Sequence, residues 1–415
     1  MQITNVPRLI KSRIQEFIGR FHSGIWTISV INLIGAIGFA LAVPFIALYL
    51  YQDRDISMTL VGVILLVGGL CSAAAQILGG ELSDRFGRRP LLLTSIIIRT
   101  LMYTLMAILM AYSSPVWVIA LAYILGQSIG MISMPITSAI VADLAPRRRL
   151  TEAYGIQRIG INLGWAIGPA LGGYLATFLA YHWLFASGAV ITALSLPIVY
   201  FLLRESLSGK IEHVDYRSIF SVTKNTIFML FILLTFLVFL TMGQMLSTLS
   251  VFTVDRLGFS TAQYGLLLTI NGLIVIAFQY PVARLLGRFI LSRALIIGGL
   301  LFGLGYLLMG WTGGFVMAAI SITIVTVGEI IFSPAALSIV GKISPARNRG
   351  RYMGFFSLSQ TLGWTTAPII GGVLLDIFPS ESLLIWVPVA SLSFIAALGF
   401  MLWSRFYQNK LAIHS

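Results

Sequence analysis

The chain is short of charge, of acidic residues above all, and of cysteine. Only 10% of its 415 residues are Asp, Glu, Lys or Arg, against 58% hydrophobic ones. A water-soluble globule of this length needs far more polar surface, so that class is excluded and a membrane protein is indicated. The single cysteine, Cys71, rules out a disulfide within the chain, and nothing requires an oxidising compartment. The four histidines, His22, His182, His213 and His414, stand near ends or in loops and suggest no metal site. The 14 acidic residues are outnumbered by 27 basic ones. That excess sits in short clusters between apolar runs, so it reads as membrane topology and not as a nucleic-acid surface. Arg8, Lys11, Arg13 and Arg20 precede an apolar run long enough to span, with no small-residue cleavage site behind it. A retained first helix is expected, not a signal peptide.

What the sequence does contain is a repeat. Residues 135–173 recur without a gap at 334–372, 199 positions later, with identities at Pro146 and Pro345, Gly155 and Gly354, Gly164-Trp165 and Gly363-Trp364, Pro169 and Pro368, and Gly172-Gly173 and Gly371-Gly372. A fainter echo shifted by 203 pairs Ser57, Gly62, Gly69, Gln76 and Arg85 with Ser260, Gly265, Gly272, Gln279 and Arg288. The chain is two copies of one half.

A hydrocarbon core about 30 Å thick needs roughly 20 apolar residues per helix. Cutting at charge clusters and Gly/Pro/Ser breaks gives twelve spans, near 24–51, 57–80, 90–112, 115–142, 153–180, 182–203, 225–254, 260–286, 292–311, 313–341, 351–376 and 382–406. With the N-terminus inside, every Lys and Arg falls on inner segments except Arg54 and Arg256 in outer loops and Arg99 and Arg158 within spans. Both termini are therefore expected in the cytoplasm. Residues 204–224 form the longest polar interruption and join the halves as a linker, leaving 1–203 and 225–415 as six-helix bundles. An all-α membrane protein of twelve helices in two pseudo-symmetric bundles is the architecture of the major facilitator fold.

Three stretches carry mechanism. Between spans 2 and 3, the run from Gly80 to Leu92 reads G-E-L-S-D-R-F-G-R-R-P-L-L. Gly80 permits close packing, Gly87 a tight turn, and Arg85, Arg88 and Arg89 hold the loop at an anionic inner leaflet. Asp84 suits the positive N-terminal end of a neighbouring helix, plausibly span 11 near Gly350, as a latch between the halves. Its counterpart in the second half is Gly287, so the latch is one-sided. On span 5, Gly164, Gly168, Pro169, Gly172 and Gly173 give a small-residue face and a bent helix suited to a moving interface, a gating role and not a chemical one.

Glu329, on span 10, lies near mid-membrane. A carboxylate there costs about 2.5 to 3.5 kcal/mol and usually faces a cavity serving an ion or proton path. An apolar surround favours the neutral form of a carboxyl, which suits a proton carrier. Arg99 on span 3 either faces the cavity or snorkels inward, and Asp143 and Arg158 at the inner ends of spans 4 and 5 are candidates for a charge network with Asp84 and Arg88. Asp143 and Arg99 join Glu329 as candidate proton-coupling residues. Asn32, Gln127, Gln244, Met245, Asn271 and Gln360 are the candidate lining of a substrate cavity.

The Gly80–Leu92 run resembles the major facilitator motif G-x-L-[AS]-D-R-x-G-R-[KR]-x-x-L at every fixed position. The span 5 run resembles the G-x-x-x-G-P-x-x-G-G motif of the family's drug/proton antiporter branch. Gly328-Glu329 through Pro334, with Gly350-Arg351-Tyr352-Met353-Gly354, is similar to the span 10–11 region of LmrP-type and MdtH-type multidrug transporters. The resemblance implies proton-coupled efflux of lipophilic or cationic compounds across a prokaryotic inner membrane, with protons as the only coupling ion, no cofactor, and a monomer among membrane lipid. Two departures stand out: span 4 lacks the arginine that drug antiporters of this branch commonly carry before a Gln-Gly pair, Tyr123 to Gln127 having no charge, and span 1 lacks the E-x-x-E-R-F-x-Y-Y-G signature of peptide symporters. A lipid or glycolipid exporter and a solute/proton symporter are the alternatives on the same fold. An enzyme is not indicated, because the intramembrane charges are too scattered to form a convergent acid, base and nucleophile.

Overall fold

The structure is a computed structural model that describes residues 19–146, 149–206, 223–286, 290–344 and 349–413. Most of the expected linker, 207–222, and Gly287 lie outside the described residues. Twelve helical rods follow one another: α1 (Ser23–Asp53), α2 (Met58–Phe86), α3 (Arg88–Ala111), α4 (Val116–Leu144), α5 (Leu150–Phe178), α6 (His182–Leu202), α7 (Thr226–Arg256), α8 (Thr261–Leu286), α9 (Leu291–Met309), α10 (Phe315–Ile343), α11 (Arg349–Ile377) and α12 (Ser382–Ile413). Among the described residues, ten of these are long and apolar enough to cross a membrane. The two that fall short on composition are α5 and α11, each 29 residues long and carrying the Gly/Pro repeat. Their glycines, threonines and arginines lower the hydropathy without shortening the rod.

Duplication shows in local geometry as well as in sequence. Both α1 and α7 tighten into a 3-10 turn midway, at Val43–Phe45 and Gly243–Leu246, and both end in a π turn, at Tyr49–Asp53 and Phe252–Arg256. The two π turns are offset by 203, the shift of the fainter sequence echo. In α1 the tightening coincides with Pro44, which has no amide hydrogen to donate. In α7 no proline is present, and the side chain of Gln244 bridges the break instead.

The helices pair alike in the two halves. In the first, α1 packs on α5 and α6, α2 on α4, and α3 on α6; in the second, α7 packs on α11 and α12, α8 on α10, and α9 on α12. Two seams join the halves, α2 against α11 and α5 against α8. Both seams are tight toward the end remote from the termini, called the far end below. A side-chain carbon added at Gly62 or Gly372 would strike the backbone of Ile369 or Met58 across the first seam, and one at Gly265 would strike the carbonyl of Pro169 across the second. At the end bearing the termini the picture reverses. A carbon added at Gly80 of α2, Gly155 of α5 or Gly354 of α11 would meet open space, and Ile77 and Tyr280 are 55% and 74% exposed. The halves therefore meet at the far end and splay at the terminus end, leaving a cleft between them.

Candidate functional site

Glu329 is the central residue of the 29-residue α10, about 21 Å of helix from either end. It is half-buried. Its Oε2 accepts a hydrogen bond of 3.0 Å from Nδ2 of Asn271 on α8, whose amide also donates to the hydroxyl of Thr326 one turn earlier on α10 at 3.0 Å. Packing of α8 on α10 creates this contact. The positive charge of Arg158, exposed on α5 in the other half, acts on the Glu329 carboxylate, and that carboxylate acts in turn on Tyr306 of α9. The tyrosine hydroxyl is buried without a hydrogen-bond partner among the described residues. A carboxylate held by a neutral amide and a distant cation retains an oxygen for a proton or a substrate cation. A close ion pair would occupy it.

The other two expected coupling residues lie elsewhere. Arg99 stays inside the first half, donating from Nη2 to the carbonyl of Gly35 at 2.8 Å and lying over the rings of Phe39 and Tyr103 at 5.9 and 5.5 Å. Its stem rests on Gly130, the position that the 199-residue repeat aligns with Glu329. Asp143 belongs to the terminus end. There Arg88, only 5% exposed, donates to Asp143 Oδ2 at 3.3 Å, to Ser83 Oγ at 2.6 Å, and to Asp84 in a short contact. The expected network of Asp84, Arg88 and Asp143 is present, but Arg158 stands apart from it, exposed on α5.

Residues just after α6 complete that cluster. Glu205 accepts the backbone amides of Arg88 and Arg89 at 3.1 Å each, capping α3, and Ser206 donates to Asp143 at 3.0 Å. Gly87 turns with φ +94°, where a side chain would be strained. Arg85 is exposed. In this state Asp84 is held within its own half, and residues 345–348, just before its expected partner at the start of α11, lie outside the described ones.

The α5 glycines divide between two neighbours. Gly164, Gly168 and Gly172 sit against Leu33, Ala36, Ile37, Ala40 and Leu41 of α1, within one half, whereas Pro169 and Gly173 meet Gly265 and Thr261 of α8 across the seam. Three of the five thus fasten the bundle, and two lie at the seam between the halves.

A cavity of about 210 Å³ lies between the halves on the α2–α11 side. Phe39, Gln76, Tyr123, Gln127, Trp364 and Thr365 are among its walls, and no charged side chain lines it. Of the six expected lining residues only Gln127 is there. Gln244 is fully buried, with its amide donating to the carbonyls of Leu240 and Ala367 and its oxygen accepting from Thr248. It braces the break in α7 and has nothing left for a ligand. Met245 is buried, with its carbonyl accepting from Tyr264; Asn271 serves Glu329; Asn32 Nδ2 is buried without a partner among the described residues; Gln360 is exposed. The lining that the residue types did not reveal, Phe39 and Tyr123, is aromatic, and aromatic residues on a membrane helix carry no label distinguishing lipid-facing from cavity-facing positions. Among the described residues no group of three His, Cys, Asp or Glu could hold a metal.

Residues 28–291 and 231–411 each match the family model described as Major Facilitator Superfamily. A multidrug resistance protein, MdtH of Klebsiella pneumoniae, is 25% identical over 392 residues, covering 94% of this chain and 96% of its own length. A Na(+), Li(+), K(+)/H(+) antiporter of Planococcus maritimus is 25% identical over 366 residues, 80% of this chain and 84% of its own. Among solved structures, a crystal structure of a POT family transporter in complex with a thioalcohol-conjugated peptide superposes with a TM-score of 0.77 at 17% identity, over 92% of this chain and 96% of that one. At that identity the superposition speaks for the fold alone.

Proposed function

The chain belongs to the Major Facilitator Superfamily, and we propose that it exports lipophilic or cationic drugs in exchange for protons, working by alternating access in a prokaryotic inner membrane with both termini cytoplasmic. Members of the family are transporters, and the protein is not an enzyme.

One observation carries the reading: a carboxylate, Glu329, stands half-buried at the midpoint of a spanning helix and is held by an amide. Such a group costs about 2.5 to 3.5 kcal/mol to insert, and residues kept at that cost usually serve an ion or proton path. Proton binding would alternate with drug occupancy of the neighbouring aromatic cavity, whose uncharged lining suits an apolar guest. Because Glu329 is not among the cavity's walls, the two events communicate through the α8–α10, α5–α8 and α1–α5 contacts, α1 supplying Phe39 to the cavity's wall. The relatives named for multidrug resistance and for cation/proton antiport support the same direction of exchange. Protons are the coupling ion, lipid is the surrounding partner, and the monomer holds the whole path.

The test is proton flux in proteoliposomes containing the purified protein. Addition of a lipophilic cationic dye should drive proton movement with wild type. Glu329→Gln, which keeps the shape and the Asn271 contact, should abolish it, by a hundredfold or more, while leaving thermal unfolding unchanged. Undiminished flux in that variant removes Glu329 from the mechanism, and uptake of a polar solute down an imposed proton gradient would replace efflux with symport.

A further inference from the structure

The N-terminus of α2 is completed by a residue from the other half of the molecule. The first amides of a helix have no partner within it. Here Ser57 Oγ accepts from the amide of Leu60 at 3.3 Å. Asp376, at the end of α11, takes the other two: Oδ1 accepts from Met58 N at 3.0 Å and Oδ2 from Thr59 N at 2.7 Å, with the Thr59 hydroxyl donating to Oδ2 at 2.6 Å. A carboxylate facing the positive end of a helix, through charge-assisted bonds, is the arrangement that stabilises such an end most. It spans 318 positions of sequence and lies where the halves meet.

Since α2 and α11 run antiparallel, the far-end contact mirrors one expected at the terminus end. Asp84 closes α2 near the start of α11; Asp376 closes α11 at the start of α2. In this structure the terminus end is splayed and Asp84 is bonded to Arg88, whereas Asp376 is engaged. Resting on the alternating-access reading above, we infer that Asp376 is a positioning residue that holds the far end shut, one of two reciprocal carboxylate latches on a single helix pair, of which only one is fastened at a time. Other far-end charges stand near it: Asp255 pairs with Arg256 at 3.6 Å, Arg256 also donates to the carbonyls of Pro379 and Leu375, and Arg54, four residues before Met58, donates to the carbonyl of Ser114 at 2.9 Å, with Asp53, Asp55 and Glu381 at the same end. When the far end opens, water would take over the two amides of α2, so the latch need not be replaced by another protein group.

The experiment reads conformation, not transport, so it fails or succeeds independently of the drug/proton assignment. In a Cys71→Ser background, spin labels at Glu152→Cys and Arg284→Cys report the terminus end, and labels at Tyr112→Cys and Ser380→Cys report the far end, by double electron–electron resonance in nanodiscs. Wild type should give a short far-end and a long terminus-end distance. Asp376→Ala should move the populations at least tenfold toward the opposite state, Asp376→Asn and Thr59→Val should move them less and in the same direction, and Asp376→Glu should restore most of the closed far end. A distance distribution identical to wild type in Asp376→Ala overturns the inference. Should that variant fail to fold, unchanged populations in both Asp376→Asn and Thr59→Val overturn it equally.

Discussion

The two seams between the halves are built from the same repeat yet place their charge differently. Along α2–α11 the middle is neutral, with Gly62 and Gly69 against Pro368, Ile369 and Thr365 beside an uncharged cavity, and the ionised groups stand at the ends, Asp376 and Asp84. Along α5–α8 only the far end is neutral: charge stands at the terminus end, Glu152 and Arg284, and inside, Arg158 on α5 and, held by Asn271 of α8, Glu329. The N-terminus of α8 caps itself, Ser260 and Gln263 exchanging bonds of 2.8 and 3.2 Å between side chain and amide. The N-terminus of α2 is capped from across the seam. One seam is suited to report which end is open, the other to report whether a proton is bound. Coupled transport needs both reports in one rigid pair of bodies.

The largest expected effect comes from removing what the seams share, close backbone contact. Gly265→Val would drive a branched side chain into the carbonyl of Pro169, and Gly372→Val into that of Met58. Overpacking of this kind costs about 1–3 kcal/mol. Each variant should lose far-end closure and most transport, with a clear drop in thermal unfolding temperature; if only one does, the seams do not bear load equally. A smaller and more selective effect is expected for Asn271→Leu. A hydrogen bond to a charged group contributes about 1.5–3 kcal/mol. Losing the one from Asn271 to Glu329 should lower dye-driven proton flux roughly tenfold while leaving the far-end spin-label distance as in wild type. A changed distance would mean that the two reports are not separable.

The duplication, the twelve spans, the Asp84–Arg88–Asp143 cluster and the position of Glu329 were all legible in the sequence, because hydropathy and motif spacing act along the chain. Helix ends were less so. The reading stopped span 2 at 80 and span 12 at 406, where charge begins, yet α2 runs to Phe86 and α12 to Ile413. Hydropathy marks where apolar surface ends, and a helix continues past it as long as its backbone bonds do. The Asp376 latch was hidden for a different reason. The repeat aligns Asp376 with Thr177, an uncharged residue, so duplication gave no hint, and a carboxylate near a loop reads as ordinary solvation. Its meaning depends on α2 and α11 lying side by side. Arg158 likewise acquires Glu329 only through the α5–α8 seam. Gln244 misled in the opposite sense, since its amide is consumed by a helix break that no proline announces.

The smallest effect tests whether the α5–α8 far end is a latch at all. Thr177 and Thr261 approach across it with hydroxyl oxygens 3.3 Å apart, and Thr261 Oγ1 also donates to the carbonyl of Gly173 at 3.1 Å. These are neutral bonds at an exposed position, each contributing about 0.5–1.5 kcal/mol at most, and the α8 amide of Gln263 beneath them is already bonded to Ser260 Oγ. Thr261→Val should therefore leave the far-end distance populations within twofold of wild type. Gln263→Ala should lower thermal stability, by about 1 kcal/mol, the usual worth of a cap, with the balance between the two states unmoved. A shift in Thr261→Val as large as that in Asp376→Ala would make the seams equivalent, and the division between a reporting end and a proton-reading middle would not hold.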